Sequence, residues 1–315
     1  MSSIALNDAF GQAPARTGYR ALFHRLSSVI FAGLLLISAL ACAGEKVLLE
    51  QPSAFNGSVV VTEDDNGLRT MRFGRHGGRQ SVVKPGDPDY LELIYTRAIP
   101  SAFLLVEQPR KVLIIGLGGG TIPSFLRKHF PSLEIDVVDI DPAVAQAAQS
   151  HMDFHPDERM HLHIQDGRAF VEQAKGSYDL IFLDAYSAES VPYRLATREF
   201  LETVRRALAP QGAVVANLWE RRYNALYDSM LRTYAAVFDE VSVLSLASVG
   251  NVLALATPRK TSLTRDAALK RAAAITSSLA LRTDMVPILA RGLRLDESIT
   301  RGSVLHDDTP PTNAP

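Results

Sequence analysis

Hydrophobic and polar positions follow two rhythms along this chain. Residues 47–83 carry short runs of period two, broken by turn residues. Ser58-Val59-Val60-Val61-Thr62 is β-branched, residues 68–73 alternate, and Asp64-Asp65-Asn66-Gly67 between them is a hairpin signal. A small antiparallel β-domain is predicted there, followed by a helix over residues 90–105. From Lys111 onward, apolar runs alternate with helical segments. Strands are predicted at Lys111–Ile115, Glu134–Asp139, Met160–Ile164, Tyr178–Leu183 and residues 213–218. Helices are predicted over 122–128, from Pro142 onward, over 194–208 and over 223–237. Asp141-Pro142 caps and opens its helix, because proline is tolerated at the first helical position. Residues 241–246 and 251–256 flank Val249-Gly250 and read as a closing antiparallel pair. Residues 264–281 form an Ala-rich helix, and the Pro-rich stretch 310–315 is expected to be loose. Such alternation implies an α/β fold, a doubly wound and mainly parallel sheet. The expected divisions are 1–44, a small β-domain with its linking helix over 45–108, the α/β domain over 109–260, and a C-terminal helix and tail over 261–315.

Composition then narrows the function classes. With 33 Lys+Arg against 34 Asp+Glu, the charges nearly cancel, so no nucleic-acid partner is expected. A single cysteine, Cys42, excludes an intramolecular disulfide and any multi-Cys zinc site. His151 and His155 are spaced for one helix face, and His161 and His163 for one strand face. Both pairs read as solvated or core residues, and no metal site is predicted. At the N-terminus, Arg16, Arg20 and Arg25 precede an uncharged apolar stretch over residues 26–44 that ends in small residues. This is the pattern of a secretory signal, with cleavage after Ala41 or Ala43. A lipid anchor at Cys42 and an uncleaved membrane anchor are the alternatives, and all three put the body outside the cytoplasm. A misassigned start codon, with a cytoplasmic protein, is the remaining reading.

The candidate chemistry sits at strand ends. Gly116-Leu117-Gly118-Gly119-Gly120 lies between the first parallel strand and its helix, where glycines let the backbone approach a ligand. Asp139 follows roughly 20 residues on, at the end of the second strand, placed to accept ribose hydroxyls. Asp166-Gly167 follows the third strand, where the carboxylate either takes an adenine amino group or caps a helix. Asp184 ends the fourth strand and can accept a proton or hold an amine, unless it is a structural acid. Tyr186 and Tyr193 read as packing or as an aromatic wall for a cation, and Trp219 and Tyr223 as packing near a strand end.

Together, Val112-Leu113-Ile114-Ile115-Gly116-Leu117-Gly118-Gly119-Gly120, Val138-Asp139-Ile140-Asp141-Pro142, Asp166-Gly167 and residues 178–184 resemble the polyamine aminopropyltransferases, the spermidine and spermine synthases. The resemblance covers about residues 45–258 and is nearest to the divergent spermidine-synthase-like branch, with Thr197-Arg198-Glu199-Phe200 and Val304-Leu305-His306-Asp307-Asp308 adding to it. It implies a class I methyltransferase-like, Rossmann-like fold and an aminopropyl transfer from decarboxylated S-adenosylmethionine to putrescine or another amine. It further implies that Asp139 holds ribose, Asp166 the adenine end, and Asp184 the attacking amine. Gly116, Gly118, Gly120 and Gly167 would form the nucleotide cradle, and Gln80, Tyr90 and Ser187 would line the amine side. Three positions depart from the family pattern: Gly119 and Ser187 stand where aspartates are usual, and Leu91 where histidine is usual. The losses weigh on the amine side, where an unpaired dication is costly.

No prosthetic group is expected, only the sulfonium nucleotide as co-substrate and a small amine as partner. Membrane attachment through the N-terminus and a homodimer are left open. Two rivals stand beside this reading. One is a methyltransferase using S-adenosylmethionine itself, since Gly119 removes a charge that would repel its carboxylate. The other is an exported, non-catalytic binding protein, because neither nucleotide is expected outside the cytoplasm.

Overall fold

The computed structural model describes residues 44–176, 178–186, 191–246, 250–295 and 299–309. The apolar N-terminal stretch, Ser187 and the Pro-rich 310–315 lie outside the described residues. Among the described residues no helix is long and apolar enough to cross a membrane.

Four short strands, β1 (Lys46–Ser53), β2 (Gly57–Glu63), β3 (Arg69–Phe73) and β4 (Arg79–Val83), pair antiparallel in chain order. The turn between β2 and β3 closes where the Asp-Asn-Gly signal falls: Gly67 takes a φ of 73° and its N–H reaches the Asp64 carbonyl at 3.0 Å. The helix expected over 90–105 forms only from Ile94 (α1, Ile94–Ala98) and tightens into a 3-10 turn at Ile99–Leu104. Pro100 accounts for the tightening, since it has no N–H to continue an α-helical ladder.

The larger sheet has eight strands. β5 (Lys111–Ile115), β6 (Glu134–Asp139), β7 (Met160–Ile164), β8 (Tyr178–Leu183) and β9 (Leu208–Trp219) run parallel. β10 (Glu240–Ser245), β11 (Asn251–Thr257) and the two-residue β12 (Leu293–Arg294) complete it through antiparallel pairings, in the order β12-β10-β11-β9-β8-β5-β6-β7. Helices α2 (Thr121–His129), α3 (Pro142–His151), α4 (Gly167–Gln173), α5 (Arg198–Ala207) and α6 (Tyr227–Val237) connect them. The Ala-rich helix is α7 (Arg265–Ser278), and a further helix, α8 (Met285–Gly292), follows it. β5 shows why its apolar run is unbroken: Val112 and Ile114 enter one core while Leu113 and Ile115 enter the other. A strand covered on both faces has no solvent side on which to place polar residues.

The small sheet is sewn to α3. Asp141 is 1% exposed and caps α3 by accepting from Ala143 N, while its other oxygen accepts from Ser53 Oγ at 2.5 Å and Asn56 Nδ2 at 2.9 Å. Gln51 Nε2 donates to the Ala143 carbonyl at 2.7 Å. These bonds hold the β1–β2 turn beside the carboxyl end of β6, and on β4 Ser81 Oγ lies 3.1 Å from Thr121 Oγ1 at the start of α2, next to the glycine turn after β5.

Candidate active site

The sheet winds outward in both directions from β5, so the loops after β5 and β8 part above it and leave a crevice. A cavity of about 590 Å³ fills that crevice. Gly116, Gly118, Asp139, Asp166, Gly167, Asp184 and Gln80 all line it. Gly116 must be glycine: at a φ of 101°, a Cβ would lie 2.3 Å from the Asp184 carbonyl oxygen, so β5 and β8 could not close there.

Two expected residues lie elsewhere. Gly120, with a φ of 77°, starts α2, and a Cβ on it would meet the Phe154 ring at 2.6 Å. Its smallness serves core packing, and it does not line the cavity. Tyr90 faces two smaller cavities of about 140 and 300 Å³. The tight turn over residues 84–90 turns it away: Asp87 N bonds the Lys84 carbonyl at 2.9 Å and Tyr90 N bonds the Asp87 carbonyl at 3.0 Å. Tyr95, five residues later on α1, enters the main cavity instead.

Of the acids that line the cavity, Asp184 has the most strongly raised carboxyl. Enclosure by protein raises its carboxyl to about 7, opposed by hydrogen bonds from Asn217 Nδ2 (2.8 Å) and Tyr95 OH (3.1 Å). Asn217 is oriented in turn by Asn251, whose Nδ2 donates to Asn217 Oδ1 at 3.0 Å. The backbone carbonyl of Asn217 accepts from Tyr186 OH at 2.7 Å, and the Tyr186 ring stacks on Trp219 with centroids 5.2 Å apart. Burial and the neighbouring Asp184 charge push the Tyr95 and Tyr186 hydroxyls well above their ordinary range, so both remain neutral donors. Among the described residues, Asp184 is therefore a carboxylate held by neutral partners, poised near neutrality beside an aromatic wall. Trp219 belongs to that wall rather than to packing alone, while Tyr193 turns away to bond the His306 carbonyl at 2.8 Å.

Asp139 secures the glycine turn. Leu117 N donates to one oxygen at 2.8 Å and Asp141 N to the other at 2.9 Å. Burial raises its carboxyl to about 6, those backbone N–H groups work against the rise, and the Asp141 charge adds to it. Asp166 caps α4 by accepting from Arg168 N (2.9 Å) and Ala169 N (3.1 Å), and its second oxygen pairs with Arg194 Nη1 at 2.7 Å. Ile140, 39% exposed, offers an apolar surface between these two acids. Among the described residues no cluster of three or more His, Cys, Asp or Glu side chains converges as metal ligands. His163 bonds Asp136 at 2.9 Å, and His155 bonds Asp153 at 3.0 Å.

Tyr95, Asn217 and Asn251 were not singled out in the sequence. Asn217 does leave a signal there, as the one polar residue in an otherwise apolar run of β9. The pairing of Asn251 with Trp219 across β11 and β9 depends on strand register, which sequence does not print.

A doubly wound sheet with acids at three strand ends around one crevice is the arrangement of a nucleotide-binding α/β domain. Residues 92–247 match the Spermine/spermidine synthase domain family. The chain is 35% identical over 211 residues to a polyamine aminopropyltransferase of Vibrio vulnificus, covering 65% of this chain and 69% of that one. A probable spermidine synthase from Corynebacterium glutamicum has the same fold, with a TM-score of 0.67 at 20% identity over 86% of this chain and 99% of that one. Human methyltransferase-like protein 13, solved in complex with SAH, superposes with a TM-score of 0.55 at 29% identity over 60% of this chain and 93% of that one. The chain belongs to the spermine/spermidine synthase family of transferases, the polyamine aminopropyltransferases.

Proposed function

We propose that this protein transfers the aminopropyl group of decarboxylated S-adenosylmethionine to a primary amine such as putrescine. The observation that carries the reading is the half-buried Asp184 carboxylate, raised to about 7, which shares one cavity with Asp139, Asp166, Gln80 and the glycine turn. A neutral amine attacks the carbon next to the sulfonium; the C–N bond forms as the C–S bond breaks. The electron pair goes to sulfur, methylthioadenosine leaves, and the proton of the new ammonium passes to Asp184. A base near neutrality suits that step, because it is substantially ionised yet still takes a proton. The approaching cations would hold it ionised.

In this reading the remaining lone pairs of Asp139 accept ribose hydroxyls and Asp166 takes the adenine amino group. Gln80 and Tyr95 line the amine side, with the Tyr186–Trp219 face available to a cation. The arginines preceding the apolar stretch of residues 26–44 support export of this body. Intact mass of the mature chain would distinguish cleavage from lipidation of Cys42.

The test is release of methylthioadenosine from decarboxylated S-adenosylmethionine with a panel of amines. Turnover with one of them is expected, together with its loss in Asp184→Asn. No product with any amine, or methyl transfer from S-adenosylmethionine instead, would overturn the proposal.

A further inference from the structure

The tail motif Val304-Leu305-His306-Asp307-Asp308 has no part in the chemistry above, yet it is tied to the nucleotide end of the cavity. Leu305 is 6% exposed; its carbonyl accepts from Arg198 N at 2.8 Å and its N–H donates to Thr233 Oγ1 at 3.0 Å. His306 Nδ1 pairs with Glu199 Oε1 at 2.8 Å. Beyond this anchor, Asp307 holds the Arg168 guanidinium through both oxygens, with Nη1 to Oδ1 at 2.7 Å. The same Arg168 Nη1 donates to the Arg194 carbonyl at 3.3 Å, and the Arg194 side chain reaches Asp166 Oδ2 at 2.7 Å. Tyr193 OH donates to the carbonyls of His306 and Thr309. The contacts close a ring. Asp307 grips Arg168, which lies two residues after Asp166 on α4 and also holds the backbone that carries Arg194.

We propose that residues 304–309 are a strap whose Asp307 is a positioning residue for nucleotide binding. Through Arg168, Asp307 sets Arg194 across the Asp166 end of the cavity, where the guanidinium plane can lie against a purine base. The pair is suited to positioning, because the Arg168 side chain is mostly buried and a forked contact fixes angle as well as distance. Without Asp307, Arg168 lets the Arg194 backbone drift and the cation over the base loses its place. Asp184 and its partners lie outside the ring, so the chemical step is untouched. The inference rests on the reading of this cavity as a sulfonium-nucleotide site.

The experiment is calorimetric titration of the full chain with 5′-methylthioadenosine, alongside donor kinetics. Asp307→Asn should bind roughly threefold to tenfold more weakly, because an exposed carboxylate is lost from a forked pair. The donor KM should rise to match, with kcat, the amine KM and the urea midpoint unchanged. Asp307→Glu should recover part of the affinity, Asp308→Asn should behave as wild type, and Arg194→Gln, at an exposed side chain, should repeat the loss. Wild-type affinity in both Asp307→Asn and Arg194→Gln, or a fall in kcat at constant KM, would overturn the strap and leave the nucleotide reading standing. A wild-type protein that binds no methylthioadenosine would remove both.

Discussion

Replacing Asn217 by leucine removes the shorter of the two hydrogen bonds that favour the ionised Asp184 among the described residues, while keeping the volume at a position that is 6% exposed. The sign follows from which form that bond favours. The Asn217 amide donates to the carboxylate, so it lowers the Asp184 pKa against the burial that raises it to about 7. Its loss must raise the pKa further. A hydrogen bond to a charged group is worth about 1.5–3 kcal/mol, which is roughly 1–2 pKa units at 1.36 kcal/mol each. If Asp184 is the base, the acid limb of kcat/KM should move from near 7 to about 8–9. At pH 7 the ionised fraction then falls from about one half to between a tenth and a hundredth, a loss of roughly fivefold to fiftyfold. At pH 10 the variant should regain most of the wild-type rate. The assay is methylthioadenosine release under low donor concentration from pH 6 to 10. An unmoved limb, or a uniform loss at every pH, would show that Asn217 does not act through the protonation of Asp184.

Three further outcomes follow from the same geometry. Asp184 binds its proton more tightly folded than unfolded, so wild-type stability falls relative to Asp184→Asn as pH rises from about 4 to 7. The relative shift, on the order of 4 kcal/mol at most, is read from urea unfolding of both proteins across that window, and a pH-independent difference would contradict the raised pKa. Gly119→Asp, which restores the usual family acid, should destabilise by about 1–3 kcal/mol in urea, because its Cβ would lie 2.7 Å from Met152 Cε and 2.8 Å from Ser81 Oγ. A companion Met152→Ala should recover part of that cost; no loss in the single variant would mean the neighbours yield freely. Asp141→Ala strips the α3 cap and both bonds to the small sheet, and a loss of about 2–4 kcal/mol is expected by chemical denaturation, against about 1 for Ser53→Ala.

Much of this was legible before any coordinates. β5, β6 and β8 begin and end where they were expected from the sequence, because their interior residues are covered on both faces of the sheet. Asp139, Asp166 and Asp184 were legible for a related reason: each stands at or just past the end of a parallel strand, and parallel strands deliver their carboxyl ends to one edge. The side of the cavity around Asp184 was read less well. Tyr90 and Tyr95 stand in one segment, and which of them faces Asp184 depends on where a helix starts after the turn over residues 84–90. That start is fixed by Arg97 reaching back to the Leu91 and Glu92 carbonyls, a local choice with no periodic signature. Gly120 was assigned to the ligand because its motif is read as a unit, whereas Phe154, distant in sequence, is what requires its smallness. Helix α8 was missed because its eight residues follow the longer α7 closely and are too few to show a period.

A crystal structure of the protein soaked with 5′-methylthioadenosine would probe the arrangement itself. The ribose should sit on Asp139, the adenine near Asp166 and Ile140, and the sulfur should face the carboxylate of Asp184. A nucleotide seated in another cavity, or one whose sulfur points away from Asp184 toward solvent, would contradict the assignment of this crevice as the transfer site.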